Sequence, residues 1–400
     1  MYSVRNVSED LFWIGADDRR LALFENIFPI PRGVSYNAYV LMDEKTALLD
    51  TADYSVGRQF RENLDHVLGG RSLDYVIVNH MEPDHCALLA DIARDYPDAV
   101  FVGNAKTFQM ISQFYQLDLT GRNLVVKEGD TLTLGKHTLT FVMAPMVHWP
   151  EAMMTYDVTD KTLFAADAFG SFGALNGNLF ADDVNFDRDW LDDARRYYTN
   201  IVGKYGTQVQ AVLKKASGIE ISTICPLHGP IWRENLGYIL DKYMKWSTYT
   251  PEDKNVMIVY ASMYGDTESA ACALANLLAE RGLKHIAVYD VSNTHVSTLI
   301  AEAFRCSHIV LAAPTYNAGI YPVMENFLTD MKALNLQGRT VAIMDNGTWA
   351  ASAGKQMAAK LEEMKNMTIL PTTLSIRSAL HGDRAGELEA FADMIMESMK

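Results

Sequence analysis

The sequence predicts an α/β protein of two domains, the second of them a doubly wound parallel sheet. Three observations carry this. The chain has 400 residues, more than one hydrophobic core ordinarily spans. Its 49% hydrophobic and 21% charged residues are the balance of an ordinary globular protein. Its texture changes once, in the polar stretch 247–255 that contains Pro251. The domains are therefore expected at residues 1–250 and 251–400.

Before that stretch, apolar or alternating runs rich in β-branched and aromatic residues read as strands at 36–42, Thr46–Leu49, 75–78, 99–102, Thr138–Met143, 163–165 and Thr223–Cys225. Apolar residues at three- and four-residue spacing read as helices at 86–94, 188–204 and 236–246. After it, strands at 256–261, 285–291, 308–313 and 340–345 alternate with helices at 268–281, 324–334 and 354–364. Such alternation implies a parallel sheet with helices on both faces.

Charge narrows the partners. Lys+Arg 35 against Asp+Glu 50 gives −15, which repels phosphate backbones and argues against nucleic acid or an anionic membrane surface. No basic leader precedes an apolar run, and no window approaches the ~20 apolar residues of a membrane span, so a cytoplasmic protein is expected. The four cysteines, Cys86, Cys225, Cys272 and Cys306, form no C-x-x-C pair. Neither a disulfide framework nor a tetrathiolate metal site is indicated.

The densest chemistry follows the strand at 75–78, in the run His80-Met81-Glu82-Pro83-Asp84-His85. A strand end can aim His80, Glu82 and Asp84 into one mouth, while Pro83 restricts the loop and His85 begins a helix. His148, Asp167 and His228 each follow another strand. A lone histidine is more often a packed or surface residue, but a set delivered by successive strand ends is a metal constellation. His85 stands next to Asp84, and it either ligates or hydrogen-bonds a ligand.

These residues resemble the H-x-H-x-D-H metal motif of the metallo-β-lactamase fold, an αββα sandwich. Here Glu82 takes the place of the second His. That substitution is characteristic of the flavodiiron proteins, and the resemblance implies a pair of iron ions held by His80, Glu82, Asp84, His85, His148, Asp167 and His228. A carboxylate hardens the donor set and suits iron better than a zinc hydrolase site. Two ferrous ions against Glu82, Asp84 and a bridging Asp167 leave room for one bridging hydroxide. Aromatic residues Tyr36, Trp149 and the pair Tyr197-Tyr198 stand near these motifs, and the resemblance brings a tyrosine, for which Tyr197 is the candidate, to the substrate pocket. Relatives often carry a His in the segment that reads Phe24-Glu25-Asn26-Ile27-Phe28 here.

In the second domain, strand 256–261 runs into Ser262-Met263-Tyr264-Gly265-Asp266-Thr267 before a helix. Hydroxyls, a glycine and a helix N-terminus make an anion site. Neither a G-x-G-x-x-G nor a G-x-x-x-x-G-K-[ST] pattern is present, so NAD and ATP are poorly supported. Two more loops follow strands: Pro314-Thr315-Tyr316-Asn317-Ala318-Gly319 and Asn346-Gly347-Thr348-Trp349. The three resemble the FMN loops of a flavodoxin, at the carboxyl ends of parallel strands. Tyr316 and Trp349 are the stacking candidates, and Asn346-Gly347 departs from the Phe-Gly start usual in relatives.

The order of the two halves, across nearly the whole chain, resembles the class A flavodiiron proteins. That resemblance implies an oxygen or nitric oxide reductase that takes O2 to water or NO to N2O, with FMN relaying electrons. It further implies a head-to-tail homodimer or dimer of dimers. No C-x-x-C pair follows the second domain, so an external donor such as rubredoxin is expected. Two alternatives stay open on the residues alone: a zinc metallohydrolase with an added flavodoxin module, and an electron carrier with an empty metal site.

Overall fold

A computed structural model describes all 400 residues. The chain divides into two compact units, one of Met1–Tyr198 with Thr207–Met244, the other of Thr199–Gly206 with Lys245–Lys400. No helix is long and apolar enough to cross a membrane.

The first unit is built on two sheets. One runs in the order Arg5–Asn6, Leu11–Trp13, Tyr39–Met42, Thr46–Leu49, Tyr75–Ile77, Val100–Gly103 and Asn123–Val125. Its pairing is antiparallel up to Thr46–Leu49 and parallel beyond. The other runs Thr131–Thr133, Thr138–Met143, Met153–Asp157, Thr162–Phe164 and Thr223–Cys225, its last pair parallel. Tyr39, Leu41, Leu49 and Ile77 of the first sheet meet Phe141, Met153, Phe164 and Cys225 of the second in one buried cluster. Helices Gly57–Leu68 and Ala105–Phe114 lie against the first sheet. This is the sandwich half of the expected fold.

Several expected elements are reshaped by tertiary hydrogen bonds. The strand expected at 36–42 is broken into Val34–Tyr36 and Tyr39–Met42. The Asn37 N–H leaves the ladder to donate to Leu227 O at 2.7 Å, and its Nδ2 donates to Pro226 O and Gly229 O at 2.9 Å each. The helix expected at 86–94 is instead Pro83–Cys86 followed by Leu89–Asp95. The His85 carbonyl is taken by the Thr51 N–H at 2.9 Å and the Thr51 hydroxyl at 2.7 Å, so it cannot continue the helical ladder. The helix expected at 188–204 is likewise interrupted at Trp190, whose φ of −134° is not helical. Strand Met153–Asp157 and helix Gly57–Leu68 were not expected at all.

The two sheets are stitched at one corner by His137, which is fully buried. Its Nδ1 lies 2.8 Å from Asp157 Oδ2 and its Nε2 3.2 Å from Asp10 Oδ2, while Lys136 also binds Asp10 and Asp160 lies nearby. Burial pushes His137 down, but the two carboxylates outweigh it and raise its pKa above the ordinary histidine value. A raised native pKa gives stability that is complete below the unfolded-state value of about 6.5 and is lost as pH rises through the native value. The melting temperature of the wild type is therefore expected to fall relative to that of a His137→Gln variant as pH rises above about 6.5. Parallel curves for the two proteins between pH 6 and 9 would show that His137 carries no proton-linked stability.

The second unit is a parallel sheet in the order Ala287–Asp290, Asp253–Tyr260, Cys306–Tyr316, Thr340–Asn346, then Thr368–Ile369 and Leu374–Ile376 side by side on the last edge. Helices Asp266–Glu280 and Ala385–Ser398 pack on one face, where Leu274, Leu278, Phe391 and Ile395 share a core. Val296–Arg305, Pro322–Ala333 and Ala353–Glu362 cover the other with Leu299, Phe327 and Met357. The strand order 2-1-3-4-5 is that of a flavodoxin-like sheet. Helices Val296–Arg305 and Ala385–Ser398 were absent from the sequence reading.

Candidate functional site

The parallel strands of the first unit end together, and their following loops converge. Asp50, just past Thr46–Leu49, accepts from Asn79 N and Nδ2 at 2.8 Å each and from His80 N at 3.2 Å. This pins the segment leaving Tyr75–Ile77. His80 and His85 then point inward, Glu82 sits at the cap position of the short helix Pro83–Cys86, and Asp84 lies in its first turn. Asp167 arrives after Thr162–Phe164 and His228 after Thr223–Cys225.

The donors sort into two sets. His80, Glu82, His148 and Asp167 form one, and Asp84, His85 and His228 the other, each with its donor atoms within 4.8 Å of one another. In the first set, Glu82 Oε2 lies 3.3 Å from His80 Nε2 and 3.0 Å from His148 Nε2. Asp167 Oδ2 lies 3.2 Å from both nitrogens. In the second, His85 Nε2 and His228 Nε2 stand 3.0 Å apart, with Asp84 Oδ2 3.4 and 3.3 Å away. Asp167 Oδ1 reaches this set too, 3.1 Å from His85 Nε2. One carboxylate thus gives one oxygen to each set. His85 belongs to the second set by position.

The chemistry of the sets fits bound cations. Two buried imidazole nitrogens facing each other at 3.0 Å cannot both donate, and both Asp84 oxygens and Asp167 Oδ1 are buried without a hydrogen-bond donor. The His228 Nδ1 lies 2.7 Å from Ser35 O, which can only accept, so Nδ1 carries a hydrogen and Nε2 is the nitrogen turned inward. His80 is oriented likewise: its Nδ1 is 2.9 Å from Glu151 Oε1, which also accepts from Met81 N at 2.8 Å. Electrostatics tell the same story. Burial opposes the charged form of His85, but Asp84 and Asp167 lift it to about 9. His148 is lifted to about 9 against its burial by hydrogen bonds to Asp167 and Glu82. Burial disfavours ionised Asp167, yet His85 and His80 hold it well below the carboxylate range.

Aromatic rings wall the centre. Tyr197 is fully buried, its ring 5.4 Å from that of His228, and its hydroxyl has no hydrogen-bond partner. Tyr198 turns instead toward Tyr243, 4.9 Å away. Trp149 stands edge-on to His80 at 5.4 Å, and Tyr36 and Phe24 edge-on to His228 at 5.8 and 5.4 Å. Besides Glu151, a second carboxyl that no motif marks reaches the centre. Glu25 sits on an exposed turn between the paired strands Leu23–Phe24 and Phe28–Pro29, with φ of +49°, and its carboxyl faces that of Glu82. Burial of that carboxyl, then Glu82 beside it, raises its pKa to about 8. The one sequence signal in this segment, Phe24-Glu25-Asn26-Ile27-Phe28, is that it holds no histidine.

In the second unit, the three predicted loops enclose a cavity of about 710 Å³. Ser262, Met263, Tyr264, Asp266 and Thr267 line one side, and Pro314 through Ala318 and Asn346 through Ala350 line much of the remainder. Gly265 and Gly319 do not line it, contrary to expectation. Gly265, with φ of +99°, caps helix Asp266–Glu280, and its N–H donates to Ser262 Oγ at 3.0 Å. Gly319 pairs with Tyr316 in a short hairpin. Trp349 and Tyr264 are each 93% exposed, and so form the rim. Ser352 and Ser378 line the cavity without having been singled out, Ser378 because it follows the edge strand Leu374–Ile376.

Comparison with known proteins agrees with this two-part architecture. Residues 34–229 match the ODP family beta lactamase model, and residues 257–387 match a flavodoxin domain model. The chain is 29% identical over 362 residues to the anaerobic nitric oxide reductase flavorubredoxin of Escherichia coli, covering 89% of this chain and 75% of that one. The rubredoxin oxygen:oxidoreductase of Desulfovibrio gigas superposes with a TM-score of 0.92 at 26% identity, covering 99% of this chain and 98% of that one. The flavodiiron protein of Giardia intestinalis shares the fold, with a TM-score of 0.92, 23% identity and coverage of 100% and 98%. Fold and comparisons together give a β-lactamase-like unit joined to a flavodoxin-like one. Across nearly its whole length the chain shares its fold with flavodiiron proteins.

Proposed function

We propose that the chain is a flavodiiron oxidoreductase that reduces O2 to water, NO to N2O, or both, and that residues 1–250 hold the metals and 251–400 the flavin. The observation that carries this is Asp167, whose two oxygens are divided between two donor sets. His80, Glu82, His148 and Asp167 would hold one iron, and Asp84, His85, His228 and Asp167 the other. An iron pair held there would offer a reducing site to a diatomic oxidant, and FMN in the cavity of the second unit would relay electrons to it from an external donor. Glu82, Asp84 and Asp167 set the charge of the pocket, and the ring of Tyr197 excludes water beside His228. The relatives' names support both the substrate class and a rubredoxin-type donor.

Iron, zinc and FMN per chain, measured on protein purified anaerobically without added metal, test the reading. Two irons with one FMN are expected. Two zincs would redirect the chain to hydrolysis, and FMN alone would make it an electron carrier. The active species is proposed to be a head-to-tail homodimer, or a dimer of such dimers, in which each flavin serves the partner's metals. A monomer obtained by dilution should then keep both cofactors and lose turnover, whereas an active monomer overturns the arrangement.

A further inference from the structure

The cavity of the second unit presents an anion with an unusual balance of charge. No Lys or Arg lines it, and Asp266 adds a negative group at the first turn of helix Asp266–Glu280. An anion there depends on backbone N–H groups, the helix end and hydroxyl donors, so the direction in which each hydroxyl points its hydrogen matters.

That direction is fixed at Thr267. Asn346, only 7% exposed at the end of strand Thr340–Asn346, accepts from the Ser378 N–H at its Oδ1, 3.0 Å, and donates from Nδ2 to the Ser378 carbonyl, 2.8 Å. The two backbone groups determine which end of the amide is oxygen and which is nitrogen. The second Nδ2 hydrogen then goes to Thr267 Oγ1, 3.2 Å away. An amide nitrogen can only donate, so Thr267 must accept from it, and the threonine's own hydrogen is left for an acceptor lining the cavity. The same network extends to Thr348, whose Oγ1 lies 3.0 Å from Ser378 Oγ.

Resting on the reading of this cavity as the FMN site, we propose that Asn346 is a positioning residue for the flavin phosphate: it commits Thr267 to act as a hydrogen-bond donor to that phosphate. The asparagine stands where relatives usually begin the loop differently, and the amide thereby couples the phosphate loop to the third loop and to the segment carrying Ser378.

The test compares binding of FMN with binding of riboflavin, which has the ring but no phosphate, to full-length protein stripped of flavin. Wild type, Thr267→Val, Asn346→Ala and the double variant are titrated by flavin fluorescence. Wild type should prefer FMN, and each single variant should lower that preference by roughly tenfold or more, the scale of one hydrogen bond to a charged group. The double variant should lose no more than Thr267→Val, because Asn346 acts through that hydroxyl. Equal loss of FMN and riboflavin in Asn346→Ala would reduce the residue to a scaffold and overturn the proposal, as would additive losses of preference in the double variant. A wild type that binds both flavins alike would instead overturn the placement of the phosphate itself.

Discussion

Asp167→Ala is expected to empty both metal positions at once. Every other proposed ligand belongs to one donor set, but Asp167 Oδ2 lies within 3.2 Å of His80 Nε2 and His148 Nε2 while Oδ1 lies 3.1 Å from His85 Nε2. Removing it takes one oxygen and a shared negative charge from each set. Changing a group that merely orients a ligand costs about 10–100-fold in metal affinity, so loss of a shared ligand should exceed that range. Turnover should fall with the metal. Asp167→Asn keeps the shape of the side chain but removes its charge and replaces one of its two oxygens by an NH2 that cannot ligate, which separates ligand loss from misfolding. Metal analysis and the coupled two-iron spectrum of both variants decide the matter; a persistent coupled spectrum in Asp167→Ala would mean that another group bridges.

The second large effect is a change of metal. Glu82→His returns the motif to three histidines and an aspartate, replacing a hard anionic donor by a neutral imidazole. Zinc should rise and iron fall in protein grown with both metals available, since imidazole-rich sites with an open position suit zinc. Reductase turnover should drop by roughly 100-fold or more, beyond what tuning groups around a metal deliver. The geometry leaves little alternative for Glu82: its Oε2 lies between His148 Nε2 at 3.0 Å and His80 Nε2 at 3.3 Å, and those imidazoles hold its carboxyl, despite its burial, well below the usual range. Unchanged iron occupancy together with unchanged turnover is the result that would refute the role assigned to this residue.

What the sequence made legible follows from how locally each signal is encoded. The six residues from His80 to His85 stand next to one another after a strand, and the flavin loops each follow a strand, so their chemistry could be read from adjacency. Strand Met153–Asp157 was invisible because all five of its residues are buried, which erases the alternation that marks a half-buried strand. Glu25, Glu151 and Ser378 carry no motif. Each reaches its site through tertiary folding: Glu25 on a hairpin turn, Glu151 through His80 across 71 residues, Ser378 through Asn346 across 32. The break after Cys86 was hidden for the same reason, since the group that claims the His85 carbonyl is Thr51, 34 residues earlier.

The side chain of Asn37 has a consequence for how the centre is assembled during synthesis. Its oxygen receives the Trp13 indole N–H at 2.9 Å, and its nitrogen holds the two carbonyls, of Pro226 and Gly229, that bracket His228. A chain emerging from the ribosome presents His80 through His85 while His228 and the strand before it are still unmade. Six of the seven proposed ligands are then available, but the second set lacks an imidazole and the sandwich lacks its closing edge strand. The amide thus ties completion of the second donor set to the docking of the last edge strand, Thr223–Cys225, and the loop after it.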